Sequence, residues 1–227
     1  MIERVGLIGY GYWGKKIARV LKGLGVLGGI CDVSMENLGL AQELLPSKYL
    51  YTDFMEFINS DEVDSIVVAT PPETHCEIAE LALEKGLHTF VEKPLAIRAE
   101  NAKALVDLAE RRGLSLKVGH IYLHNPGLMA IPRSVGDAQL FVKLLNVGGP
   151  PSNSTRDIWW AGMPHAASIA LHFFPGWPLL TEPLVSENRI SCWLYWTDGS
   201  TAFLDVGDHV GVRRRDVELR VGNTRYN

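Results

Sequence analysis

The sequence predicts a two-part α/β protein: a doubly wound parallel sheet of Rossmann type over residues 1–119, then a smaller α+β domain with a mainly antiparallel sheet over 120–227. Three observations carry that expectation. Short apolar, β-branched runs alternate with helical patterns as far as residue 119. A Gly-x-Gly-x-x-Gly turn, Gly9, Gly11 and Gly14, joins the first such run to the first helix. Beyond residue 119 the alternation gives way to prolines and hairpin signals.

Taken in order, residues Val5 to Ile8 read as a strand and Lys15 to Lys22 as an amphipathic helix. A second strand ends at Cys31-Asp32 and a helix covers Met35 to Leu45. "SIVVAT" at 65–70 is apolar throughout, as a strand buried on both faces must be, and Pro71-Pro72 stops it. "ETHCEIAELALEKG" is helical and closed by Gly86; "HTFVEKP" is a strand and a turn. "RAENAKALVDLAERRG" is helical and closed by Gly113, and "LSLKVG" supplies the fifth strand.

Pro126, Pro132, Pro150 and Pro151 then break the pattern, and "NVGGPPSNS" reads as an exposed loop. A strand is expected near Gln139 to Leu145 and a helix near His165 to Phe174. Three strands follow, "NRISCWLYW", "STAFLDVG" and "RRDVELRVG", the first two joined by a hairpin at Asp198-Gly199. Their apolar faces exceed what one short helix covers, so a homo-oligomer, at least a dimer, is expected.

Composition narrows the function. The 227 residues are 47% apolar and 21% charged, with a net charge of -4, so nothing draws the chain to nucleic acid or an anionic membrane; a small, diffusible substrate fits better. Cys31, Cys76 and Cys192 are odd in number, far apart and outside metal-ligand spacing, which suits buried apolar residues in a reducing cytoplasm. The start "MIERVGLIGYG" does not match a signal peptide, and no apolar run is long enough to span a bilayer. His120 and His124, or His165 and His172, are spaced like ligand pairs but lack a third ligand, so no metal is expected.

Glycine-rich turns are common; context gives this one its meaning. It follows a strand, opens a helix, and precedes an acid at a strand end, Asp32, eighteen residues beyond Gly14. Gly9 permits the tight turn, Gly11 lets backbone N–H groups reach a pyrophosphate, and Gly14 lets helix pack on strand. Asp32 would accept hydrogen bonds from ribose hydroxyls and repel a 2′-phosphate, and no arginine stands among Val33, Ser34 and Met35 to offset it. The expected cofactor is therefore NAD in preference to NADP.

"GYGYWGKKIARVL", "VVATPPETHCEIAELALEKGLHTFVEKPLA", "VGHIYLHNPG" and "MPHAASIALHFF" occur in the order of motifs of a known family. The chain resembles the glucose-fructose oxidoreductase / inositol dehydrogenase / rhizopine catabolism (Gfo/Idh/MocA) family. The aromatic "GYGYWG" and "YLHNPG" are most like its branch that oxidises nucleotide-linked sugars. Members usually run longer, which predicts a C-terminal domain cut down relative to theirs.

The resemblance implies an NAD-dependent oxidoreductase acting on a secondary alcohol of a sugar. It places Tyr12, Trp13, Thr70, Pro71, His75 and Glu92 at the cofactor with the three glycines and Asp32. Lys93 of "EKP" would stand between nicotinamide and substrate hydroxyl, and His165 would take the hydroxyl proton. His120, Tyr122 and Trp160 would line the substrate pocket. One departure stands out: four residues before His165 the family's aspartate is replaced by Ala161, and Asp157 lies at another angle around the helix. The same resemblance therefore also fits a catalytically silent NAD-binding sensor or scaffold. Trp159, Trp160, Trp193 and Tyr195 suit either an oligomer face or stacking on a sugar. Arg213, Arg214 and Arg215 read as charges that guard a strand edge rather than a grip on a diphosphate.

Overall fold

The computed structural model describes residues 4–133, 136–145, 155–180, 182–207 and 213–227, without the side chains of 155–158 and 180. The loop expected over 146–154 and the side chain of Asp157 lie outside the described residues. The chain divides into two compact units, Met1–Gly119 and His120–Asn227.

The first unit alternates strand and helix: β1 (Val5–Ile8), α1 (Tyr12–Gly23), β2 (Leu27–Cys31), α2 (Met35–Ala41), β3 (Leu50–Tyr51), α3 (Phe54–Asn59), β4 (Ser65–Val68), α4 (His75–Lys85), β5 (His88–Val91), α5 (Ala99–Arg112) and β6 (Leu116–Val118). The six strands are parallel in the order β3-β2-β1-β4-β5-β6, so strand order reverses between β1 and β4. Every residue of β1 and β4 is buried, as their unbroken apolar runs require. Helices cover both faces, with one core around Leu7, Ile30 and Leu38 and another around Phe57, Ile66 and Leu83. Gly86 and Gly113 end α4 and α5 in the left-handed conformation, with φ of +90° and +65°.

Three local expectations need correction. There are six strands, because β3 has two residues and so no periodicity to read. α1 begins at Tyr12, since Gly14 belongs to its first turn. α2 ends at Ala41, four residues early.

The second unit contains α6 (Pro126–Met129), β7 (Ala138–Leu145), α7 (Thr155–Phe173), β8 (Leu179–Leu180), β9 (Leu184–Ser186), β10 (Arg189–Tyr195), β11 (Thr201–Gly207), β12 (Arg214–Val221) and β13 (Thr224–Tyr226). The sheet runs β13-β12-β7-β11-β10-β8, and β9 also pairs β10. It is mixed, because β7 and β11 are parallel, from Thr201 opposite Gln139 to Gly207 opposite Leu145. The helix between them permits this: a parallel pair needs a long crossover, whereas hairpin signals report only consecutive strands. The Asp198-Gly199 hairpin forms, with Gly199 at φ +87°.

α7 starts ten residues ahead of the expected helix and carries Pro164 inside it, a residue that reads in sequence as a break. Arg214 and Arg215 stand at an open strand edge, as expected. They pair with β7 on one side, and β13 covers only Leu219 to Val221 on the other, so the edge is the exposed start of β12.

One face of this sheet is dry. Leu140, Val142 and Leu144 of β7, with Ala202, Leu204 and Val206 of β11, form a core with Ala166, Ile169, Ala170 and Phe173 of α7. The other face carries half-buried aromatics: Phe203 and Phe141 lie 4.9 and 6.1 Å from Trp193 between ring centroids. Cys31 and Cys192 are buried, but Cys76 is only partly so, against the expectation for all three; burial pushes the Cys31 thiol up to about 12. Among the described residues no helix is long and apolar enough to cross a membrane.

Asp205 on β11 is 2% exposed and accepts two hydrogen bonds from Arg189, at 2.5 and 2.6 Å, with Lys143 Nζ 3.7 Å away. A buried carboxylate is tolerable only when so paired. Asp205→Asn should destabilise the unit by about 1–2 kcal/mol, the weak end of a charged hydrogen bond because Arg189 is half-exposed. Denaturant titration of Asp205→Asn, Arg189→Met and the double variant should show the two losses to be non-additive.

Candidate functional site

The C-terminal ends of β1, β2, β4 and β5 converge where the strand order reverses, the place at which open α/β sheets bind ligands. β1 passes into Gly9, with φ +96°; a Cβ there would lie 2.6 Å from the Ala69 carbonyl oxygen. A Cβ on Gly14 would lie 1.9 Å from the Gly9 carbonyl oxygen. Gly11, which caps the N-terminus of α1, is different: a Cβ there meets nothing within 4 Å. Two of the glycines are thus required by neighbouring protein, and the third faces open space at a helix N-terminus, where a phosphate fits.

Asp32 follows β2 and is fixed by three donors. Its carboxylate accepts from the Tyr10 amide at 2.6 Å, the Ser34 amide at 2.8 Å and the Asn37 side chain at 3.3 Å. Tyr10 and Asn37 are contributors that motif spacing does not reveal, although Asn37 is five residues on and opens no pattern of its own. Tyr12 is 70% exposed, and Lys16 Nζ lies 2.9 Å from its hydroxyl.

Trp13 turns the other way. Its indole N–H donates to Glu92 Oε1 at 2.5 Å, while the Lys93 amide donates to Glu92 Oε2 at 3.3 Å. Burial pushes the Glu92 carboxyl up, opposed by the Trp13 hydrogen bond and by the charges of Lys93 and His75. Burial likewise pulls the Lys93 ammonium down, opposed by Glu92. A half-buried lysine and carboxylate therefore stand together where β5 ends.

His75, 1% exposed, lies 2.8 Å through Nε2 from the Thr70 carbonyl and 2.7 Å through Nδ1 from the Pro94 carbonyl. Each ring nitrogen faces a main-chain carbonyl, and the protonated one donates, so His75 ties the end of β4 to the turn after Lys93. Thr74 Oγ1 lies 2.7 Å from the Thr70 hydroxyl and donates to the Pro71 carbonyl at 2.9 Å, closing that turn.

In the second unit, α7 carries Trp160, Ala161 and His165, and the 3₁₀ turn Ile121–His124 carries Tyr122. His165 is 4% exposed, and its ring meets that of Tyr122 edge-on at 4.9 Å and 62°. Arg215 Nε donates to the Tyr122 hydroxyl at 2.7 Å. The guanidinium expected only to guard an edge thus holds the ring that packs on His165. Trp160 is half-buried. His120 is half-buried and held below its ordinary pKa by burial. Among the described residues no group of three His, Cys, Asp or Glu side chains converges as a metal site would need.

A Rossmann sheet with a glycine turn and strand-end acid, followed by a unit with a mixed sheet and a long helix, defines a protein of the two-unit dinucleotide-binding fold class. The chain belongs to the Gfo/Idh/MocA family, whose sequence profile, described as "Oxidoreductase family, NAD-binding Rossmann fold", matches residues 3–120. It is 33% identical over 126 residues to UDP-N-acetylglucosamine 3-dehydrogenase of Acidithiobacillus ferrooxidans, covering 55% of this chain and 39% of that protein. It is 33% identical over 143 residues to inositol 2-dehydrogenase of Paracoccus denitrificans, covering 60% and 42%. The match thus spans about two fifths of the length of these curated relatives.

Among solved structures, the A. ferrooxidans UDP-N-acetylglucosamine 3-dehydrogenase superposes with a TM-score of 0.80 at 25% identity, over 98% of this chain and 75% of that one. The WlbA dehydrogenase of Thermus thermophilus, solved with NAD and α-ketoglutarate, superposes with a TM-score of 0.80 at 19% identity, over 98% and 81%, a likeness of fold.

The two kinds of glycine can be told apart by substitution. Gly14→Ala should cost about 2 kcal/mol or more, as expected for overpacking against rigid backbone. Gly11→Ala should stay within about 1 kcal/mol, the cost of a poorer helix cap. Thermal and urea denaturation check both.

Proposed function

We propose that the chain binds NAD(H) at the ends of β1 and β2 and transfers a hydride between it and a secondary alcohol of a sugar, probed first among nucleotide-linked sugars. The observation that carries this reading is Asp32, whose carboxylate three donors hold in place beside the open turn at Gly11. Its remaining lone pairs suit two ribose hydroxyls, and a 2′-phosphate would meet its charge. The turn at Gly11 and the N-terminus of α1 receive the pyrophosphate, flanked by Gly9, Gly14, Thr70 and Pro71. NAD, when bound, supplies the hydride acceptor at nicotinamide C4.

The chain's own residues handle the hydroxyl. Lys93 donates a charge-assisted hydrogen bond to its oxygen and so favours loss of its proton, and burial strengthens that bond by excluding water. His165 accepts the proton as the carbon loses hydride. Glu92, held by Trp13, positions Lys93. His120, Tyr122 and Trp160 contact the sugar. The names of the curated relatives, a nucleotide-sugar and an inositol dehydrogenase, support the substrate class.

Calorimetry should give NAD(H) at least tenfold tighter binding than NADP(H); equal or tighter NADP(H) binding would refute the assignment to Asp32. In NAD reduction by a panel of nucleotide sugars, Lys93→Ala and His165→Ala should each lower turnover by ~10²–10⁴ with NAD affinity retained. Ala161 favours a second reading, a silent NAD-binding protein, because the carboxylate expected four residues before His165 is replaced. If parent and Ala161→Asp both bind NAD and neither reduces it with any sugar, that second reading holds.

The half-buried aromatics Phe141, Trp193 and Phe203 on the outer face of the second sheet support assembly of the chain with a copy of itself. Light scattering at micromolar concentration should show at least a dimer. A monomer mass there would refute the assembly.

A further inference from the structure

One to two turns along α7 from His165, the second unit holds a cavity of about 500 Å³, of whose polar lining the proposed function uses only His120. Its polar lining is Arg133, His172, His120 and Ser168, its apolar walls include Leu123 and Leu171, and no carboxylate lines it among the described residues. Such a volume suits a single sugar ring with a substituent.

The hydrogen bonding defines what the lining offers. Arg133 Nη2 lies 3.2 Å from His172 Nδ1. A guanidinium only donates, so His172 Nδ1 accepts and its ring proton sits on Nε2. Burial, with the adjacent guanidinium, holds His172 below its ordinary pKa, in keeping with that neutral tautomer. The pair therefore leaves one full positive charge without a counter-ion in the cavity lining, and a free N–H beside it. His120 Nδ1 is buried with no hydrogen-bond partner among the described residues. Ser168 Oγ donates to the His165 carbonyl at 2.8 Å, which leaves its lone pairs to accept from a hydroxyl.

Position along the helix ties the cavity to His165. Residues 165, 168 and 172 recur at helical spacing on one face, and seven residues correspond to a rise of about 10 Å. Ser168 both lines the cavity and bonds the His165 carbonyl.

We infer that the cavity is an anion subsite, in which Arg133 and the Nε2–H of His172 receive a carboxylate or phosphate carried by the sugar whose hydroxyl is served by His165. This rests on the dehydrogenase reading above for the identity of the ligand, but not for the site itself. Carboxylate and phosphate both accept the paired donors of an arginine.

The full chain, without cofactor, can be titrated with glucuronate, glucose 6-phosphate, inorganic pyrophosphate and uncharged myo-inositol while ¹⁵N-edited NMR follows the imidazole of His172. Glucuronate, a phosphate-bearing probe, or both should shift the His172 Nε2 signal, and their affinity should fall at least tenfold in Arg133→Met; which probe responds identifies the anion. The response should be independent of myo-inositol. His172→Gln, which retains an N–H donor, should keep more of the affinity than His172→Phe, measured by calorimetry with the responding probe. No anion response, unchanged affinity in Arg133→Met, or equal binding of myo-inositol overturns the subsite. An Arg133-dependent response in a chain that oxidises no sugar refutes the dehydrogenase reading and leaves the subsite standing. Turnover of sugars with no such response does the reverse.

Discussion

The contact on which the first unit depends is the approach of Gly14 to the carbonyl of Gly9. A single Cβ would lie 1.9 Å from that oxygen, so only glycine lets α1 start directly over the end of β1. The placement aims the amides of the first helical turn at the open space beside Gly11. It also brings the Tyr10 amide onto Asp32, so the acid after β2 is held by the same turn that presents the helix end. A change at Gly14 would disturb helix, turn and acid together.

Around this turn the unit buries charge in a chain of contacts. Trp13 reaches from α1 to Glu92, Glu92 sits beside Lys93, and His75 ties the segment after Lys93 back to the end of β4. Glu92 and Lys93 each lose hydration, and each limits the other's shift. A lysine kept short of water beside a carboxylate is a strong hydrogen-bond donor. The second unit solves a related problem differently. Where an aspartate would sit four residues before His165 there is Ala161, and the ring that meets His165 is Tyr122, held at its hydroxyl by Arg215.

Sequence alone determined what rests on local sterics and periodicity. β1 and β4 are continuous apolar runs because both faces are covered, and Gly86 and Gly113 close helices because φ is positive there. The glycine turn with Asp32 was legible as spacing, and Asp198-Gly199 as a hairpin, for the same reason. Tertiary structure alone decided the parallel pairing of β7 with β11, the start of α7 ahead of Pro164, and the two-residue β3. It also decided that Arg215 meets Tyr122 across 93 positions and Arg133 meets His172 across 39. Hydrogen bonds and close packing between distant segments leave no period in the sequence; they arise only when the sheet and α7 bring those segments within a few ångströms, because such forces act over contact distance and carry no local signature.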